Sequence, residues 1–496
     1  VESIGRERMN MNIPRKALAA SLALLLGGCM VGPDYHRPDV SVPTQYKELP
    51  GWTAAAPAQA EAPKGDWWTG FNDPLLNELE PQVSVSNQTV RADYANYQAA
   101  LAEVQVARSA LFPTIGISGS ASKQRTAAGS AGSGVEHFSP VSTSGSLEGN
   151  VSWAPDLWGK VRRTIEENKA SAQASQATLA NATLSEQTAL ATAVIELRVT
   201  DANIDLLQKT VAAYQEYLRV VANQGEAGTV PPSDVITART QLENAKSSLI
   251  ALGVARAQYA HAIAVLVGKN PEELDIPHST TLPTLPSVPT GVPSTLLQRR
   301  PDIAVAERQM AAQNAAVGVA VAAYYPSFSL SAADGFSQSP LAGLLHVANH
   351  VWSLGANASE TVFDFGQRHG EVAAAKATYE ATVANYRGTV LSAFQNVEDD
   401  LSGLKILAQQ AEVLDSAVRD ATRGAEIAFN EYQAGTVDYT TAAVAQATQL
   451  STQQSALNVQ QQRLLDAVSL IGDLGGGWSA DQLGDGKSVA TSTPAQ

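Results

Sequence analysis

Cys29 is the only cysteine in the 496 residues, and its surroundings assign it a chemistry. Lys16 and the apolar run from Ala17 to Gly28 lead into it. A basic start, a short apolar core and small residues before the cut describe a secretory signal. Leu26-Gly27-Gly28-Cys29 narrows this to a lipoprotein-type signal. The thiol would then carry diacylglycerol, and the freed amine an acyl group such as palmitate. A lone cysteine forms no intrachain disulfide. Residues 1–28 are therefore expected to be a signal with an upstream extension before Met9 or Met11.

Other reactive groupings fall short of a site. His346 and His350 have helical metal-ligand spacing but lack the accompanying acid, and a strand or loop is expected there. Gly484-Asp485-Gly486-Lys487-Ser488 resembles a phosphate loop, but Asp481 stands where that motif needs glycine. No Gly-x-Ser-x-Gly elbow occurs. No catalytic residue, metal site or cofactor beyond the Cys29 lipid is expected. A net charge of −15 argues against a nucleic-acid partner.

The remaining chemistry lies at two matching turns. Ala227-Gly228-Thr229-Val230 is followed by Asp234, and Ala434-Gly435-Thr436-Val437 by Asp438. Gly159 lies 69 positions before Gly228, and Gly366 lies 69 before Gly435. A fixed internal period signals two copies of one structural unit.

Each copy carries strands and long helices. Leu147, Gly149, Val151 and Trp153 alternate with Glu148, Asn150 and Ser152, which is period two. The stretches Thr114 to Ser122, Phe328 to Ala332 and Trp352 to Ala358 alternate likewise, so four half-apolar strands are predicted. Ile204, Leu207, Val211, Tyr214, Leu218 and Val221 are spaced 3, 4, 3, 4, 3, and Ala411, Leu414, Val418, Ala421, Ala425 and Ala428 repeat that spacing. This is a coiled-coil seam. A helix over 160–222 would run roughly 100 Å, and Val235 to Val267 and Ala442 to Leu470 would return along such helices. Outside the signal no apolar run of membrane-spanning length is expected. Four amphipathic strands cannot close a barrel alone, because their edges leave backbone groups unpaired in lipid. Copies must pool strands. Two would give eight strands and a filled lumen, and three would give twelve with a wet one.

The chain resembles the outer-membrane efflux factors of the TolC/OprM/NodT type, from Cys29 to about Trp478. The resemblance rests on Gly28-Cys29-Met30-Val31-Gly32-Pro33-Asp34-Tyr35 with Arg37-Pro38, and on Asp66-Trp67-Trp68 with Phe71, Asp73, Pro74 and Leu75. It rests most on Leu297-Gln298-Arg299-Arg300-Pro301-Asp302-Ile303 with Ala306-Glu307, then Tyr325-Pro326 and the closing Leu474-Gly475-Gly476-Gly477-Trp478. It implies a mainly α chain with a β-barrel part. A homotrimer would form a 12-stranded outer-membrane barrel continuous with a periplasmic α-helical barrel. It further implies docking to a periplasmic membrane-fusion adaptor and an inner-membrane RND transporter, in outer-membrane lipid.

Within that frame the tips would gate the duct. Asp234 and Asp438 could each form a ring of charge in a threefold assembly, or cap a helix. Relatives often carry an acid, or an acid and an arginine, on the returning helix. Val444 and Ala447 take those places here, with Thr440 one turn earlier. A Val444 ring could close by dewetting. Gly228, Thr229, Gly435 and Thr436 resemble the grooves where adaptor hairpins dock, and also read as plain turn residues. Arg299 and Arg300 are expected to pair with acids of a neighbouring segment. The expected division is 29–87 as a lipidated linker and anchoring segment, 88–270 as the first repeat, 271–300 as a linker, 301–474 as the second repeat and 475–496 as a polar tail. The expected function is passive export of small molecules. A type I protein-secretion channel, or a coiled-coil envelope lipoprotein with no channel, are the alternatives.

Overall fold

The structure is a computed structural model that describes residues 30–48, 65–125, 141–286, 296–339 and 341–485. Cys29, the glycine-rich loop at 127–134 and residues 486–496 of the tail lie outside the described residues.

The duplication is geometric. The helices are α1 (Pro74–Ser86), α2 (Gln88–Ser109), α3 (Lys160–Glu226), α4 (Pro232–Leu266), α5 (Pro301–Ala322), α6 (Gln367–Gln433) and α7 (Tyr439–Asp473), with a single turn at Leu296–Arg299. The strands are β1 (Thr114–Arg125), β2 (Val141–Trp153), β3 (Ser327–Gln338) and β4 (His350–Ser359). α3 and α6 are both 67 residues long, and α4 and α7 are both 35. Each second-copy hairpin begins and ends 207 positions after its counterpart, whereas α5 and β3 begin 213 after α2 and β1. The β1–β2 connection absorbs the difference.

All strands outrun the stretches predicted for them. They form one antiparallel sheet in the order β1-β2-β3-β4, with β1 and β4 as free edges. Register matches like with like: Ile115 faces Val151, Val151 faces Ala332, and Ala332 faces Leu354. The opposite face joins Asn150 to Ser118 at 2.7 Å and Ser120 to Ser146 at 2.9 Å. A one-residue slip would exchange the faces, so this segregation pins the pairing. Asp334 falls on the apolar face and pairs with His350, which opens β4.

α3 starts the same way as α6. Gly159 and Gly366 take φ of +82° and +89°, and the preceding Asp156 and Asp364 carboxylates accept amides of the first turns. The seam residues are all buried or half-buried. α3 packs between α2 and α5 near the sheet and between α4 and α7 toward the tips. α6 flanks α5 and α7. The side-by-side order is α2-α3-α5-α6 above and α4-α3-α7-α6 below.

The main core is a belt around these helices. Trp67, Trp68, Phe71, Leu76, Leu79 and Val83 pack on Leu190, Val194 and Leu197 of α3, while Tyr386, Val390 and Val397 of α6 complete it. Burying side chains of this size contributes about 1.5–3 kcal/mol each.

Two expectations gain detail and one needs correction. Residues 30–48 are extended, as expected, and docked on the helices. Arg163 bonds the carbonyls of Val31 and Gly32 and the Asp34 carboxylate, Tyr35 donates to Glu307 at 2.5 Å, and Arg37 donates to the Tyr386 hydroxyl at 2.7 Å. The start of the 475–496 tail is docked too, because Gln173 and Gln176 of α3 hold Gln482 and Gly484. Finally, α4 is long and apolar enough to cross a membrane, which the reading of apolar runs missed. It is a packed hairpin arm: its Arg256 donates to the buried Asp201 of α3 at 2.7 Å.

Candidate functional site

The tips at Gly228 and Gly435 are built identically. In the first, Thr229 N donates to the Gln224 carbonyl at 2.9 Å and Gly228 N to Gly225. In the second, Thr436 N donates to the Glu431 carbonyl at 3.0 Å and Gly435 N to Tyr432. Gly228 and Gly435 have φ of +72° and +76°, the left-handed helix stop that favours glycine. Thr229 and Thr436 hydroxyls bond the same carbonyls. Local capping therefore accounts for this geometry. All four residues are exposed, so the same groups are open to a partner.

Behind the tips a small core ties the two hairpins together. Val221, Ala238, Tyr432, Tyr439, Ala442 and Ala443 are buried in it. Tyr432 donates to Gln224, and Tyr439 donates to Gln241 at 3.0 Å, each reaching from the second hairpin to the first. Burial raises both phenols above the ordinary tyrosine range, and the nearby Asp234 carboxylate adds to this.

The gate residues divide. Asp438 is the N-cap of α7: its carboxylate accepts from Thr441 N at 2.8 Å and from the Thr441 hydroxyl at 2.6 Å. The hydroxyl and amide hold that carboxyl below its usual range. Asp234 does not cap α4, contrary to one of its two expected readings. Pro231 occupies the cap position, leaving Asp234 in the first helical turn, where the positive helix end favours a carboxylate. Thr440 is exposed, and so is Val444 at 61%. The tip tyrosines carried no spacing signal that would have separated them from seam residues.

At the other end, the residues after Cys29 are fixed at the foot of the sheet. Val31 N donates to the Trp158 carbonyl at 3.1 Å, and Met30 lies against Gly159. Trp158 stacks on Tyr325 at 5.0 Å and donates to the Pro326 carbonyl at 2.7 Å. Arg300 pairs with Asp302 and Asp473, both at 2.7 Å, as anticipated for it, whereas Arg299 forms no ion pair among the described residues.

Two lateral faces are unfinished. On one, the β1 edge lies with α2 and α4, whose Ile236, Ile250 and Val254 are 63%, 75% and 62% exposed. On the other, the β4 edge lies with α6, whose Ile406, Val413 and Ile427 are 59%, 71% and 43% exposed. Their spacings of 14 and 4, and of 7 and 14, are coiled-coil spacings.

The family model described as "Outer membrane efflux protein" matches residues 80–269 and 292–476. Two relatives from Pseudomonas putida are 29% identical over 460 residues, covering 92% of this chain and 95% of their own. They are the antibiotic efflux pump outer membrane protein ArpC and the toluene efflux pump outer membrane protein TtgC. The solved structure of the outer-membrane channel OprN is 29% identical, with a TM-score of 0.84, over 91% of this chain and 100% of that one.

Proposed function

Because the chain belongs to the outer membrane efflux protein family, we propose that three copies assemble into one duct that exports small organic molecules across the outer membrane. The observation that carries this is the pair of unfinished faces. A β1 edge with an α4 seam lies on one side, and a β4 edge with an α6 seam on the other. The two faces differ, so copies join head to tail, and a closed ring is the arrangement that leaves no sheet edge unpaired in lipid. Three copies pool twelve strands, the number that leaves a wet lumen. The serine and asparagine face would line it, and the Ile115, Val151 and Leu354 face would meet lipid. Residues 30–31, held at the foot of the sheet, would set an acylated Cys29 at the inner surface of that membrane.

The chain is the passive part of a pump. An inner-membrane RND transporter would drive flow, and a periplasmic membrane-fusion adaptor would grip the tips at Gly228, Thr229, Gly435 and Thr436. Val444 and Thr440 would face the narrowing lumen, with Asp234 and Asp438 beside it. Exposed apolar valines ringed three times exclude water from a constriction.

Planar-bilayer recording of the purified protein tests the duct. Unitary conductance from a species of trimer mass is expected, and a folded monomer without conductance would end the proposal. Val444→Ser should raise the fraction of time open. Unchanged opening would exclude apolar closure at Val444.

A further inference from the structure

Arg463 lies 207 positions after Arg256, at the same place in the second hairpin. In the first hairpin the arginine is fully provided for. Arg256 Nε donates to Asp201 Oδ1 at 2.7 Å, and a terminal nitrogen donates to the Ile276 carbonyl at 2.9 Å. Asp201 is fully buried and also holds His278 and the amide of Ser279. The segment after α4 therefore folds back over the ion pair and seals it.

The second hairpin keeps the arginine and lacks the rest. Ala408, which is exposed, stands 207 positions after Asp201. The segment after α7 leaves toward the sheet end of α3, where Gln173 and Gln176 hold it. Arg463 Nε is buried with no partner, and the one hydrogen bond of its guanidinium is a long 3.4 Å contact to Gln460 within α7. A guanidinium nitrogen withdrawn from water with no acceptor is an unfavourable arrangement, which any group bringing a carboxylate oxygen to it would relieve.

Arg463 lines a cleft of about 360 Å³ between the two hairpins. Its apolar wall includes Leu206 of α3, Leu282 of the linker, and Leu414 and Val418 of α6. Asp415 also lines it, but no carboxylate among the described residues comes within ion-pair distance of Arg463.

We propose that the cleft binds a small carboxylate with a short aliphatic body. The ligand's carboxylate takes the place that Asp201 fills in the first copy and accepts from Arg463. Its chain lies on Leu206, Leu282, Leu414 and Val418. The size and mixed lining match a small-molecule site. This inference does not depend on the duct, since the site lies within one chain.

Hexanoate is the probe, titrated into the full chain in detergent and followed by saturation-transfer NMR, with hexanol as the uncharged control. Saturable hexanoate binding is expected, weakened by salt and absent for hexanol. Arg463→Met should weaken it at least tenfold. Ala408→Asp supplies the missing carboxylate from the chain itself, so it should weaken hexanoate binding equally while raising resistance to guanidinium. Asp415→Asn removes a repelling charge and should leave binding intact or tighter. No saturable binding by the wild type, or equal binding by Arg463→Met, would overturn the proposal. So would equal destabilisation of the chain by Arg463→Met and by Asp415→Asn, because Arg463 would then already be neutralised within the chain.

Discussion

Glu80 of α1 is fully buried, and neither carboxylate oxygen has a hydrogen-bond partner. Burial alone pushes its carboxyl up from 4.5 to about 9, so it is neutral in the folded chain at pH 7. The unfolded chain releases that proton near pH 4.5. Between these values the folded state binds one more proton, and stability falls as pH rises, by about 1.4 kcal/mol per pH unit. At pH 7 the accumulated loss is about 3 kcal/mol relative to a side chain that never ionises. Glu80→Gln keeps the shape and removes the titration. Guanidinium unfolding followed by tryptophan fluorescence reads it, since Trp67 and Trp68 belong to the same buried belt. The variant should gain on the wild type steadily from pH 5 to pH 8. Half-buried Asp400, pushed up by desolvation and by Asp473, titrates in both proteins and cancels in the difference. Parallel pH profiles for the two proteins would refute the reasoning.

Arg300→Met leaves Asp473 beside Asp400 with no cation, and should cost about 3 kcal/mol at pH 7. Part of that loss should return in acid, as protonation of Asp400 relieves its repulsion with Asp473. Asp438→Ala removes the α7 cap, so hydrogen exchange at residues 439–442 should accelerate while α4 is unaffected. Gly435→Ala meets open space and only backbone strain, about 1 kcal/mol. Gly268→Ala would set a carbon 2.2 Å from the Ser86 carbonyl oxygen, and Gly475→Ala one 2.1 Å from that of Arg299. Both should therefore reduce folded yield far more than Gly435→Ala, by heat-modifiable gel mobility.

Much of this protein was legible before any coordinates. The period of two in Leu147 to Trp153 and the 3-4 spacing from Ile204 to Val221 are local properties of the backbone, so each declares its element wherever it sits. The Gly228 and Gly435 stops are equally local, because a left-handed residue ends a helix without help from afar. Duplication then fixed the order of elements, and the shortage of strands implied partners. Which carboxylate meets which arginine was not legible. Asp201 reaches Arg256 and Ser279 across 55 and 78 positions, and Arg163 reaches Asp34 across 129. Those meetings depend on how separate helices are set along and around one another. So do the docking of residues 30–48, the burial of Glu80 and the unpaired Arg463. Periodicity alone determined the elements and their twofold plan. Only tertiary packing decided which charges were neutralised, because that setting comes from contacts between residues far apart in the chain.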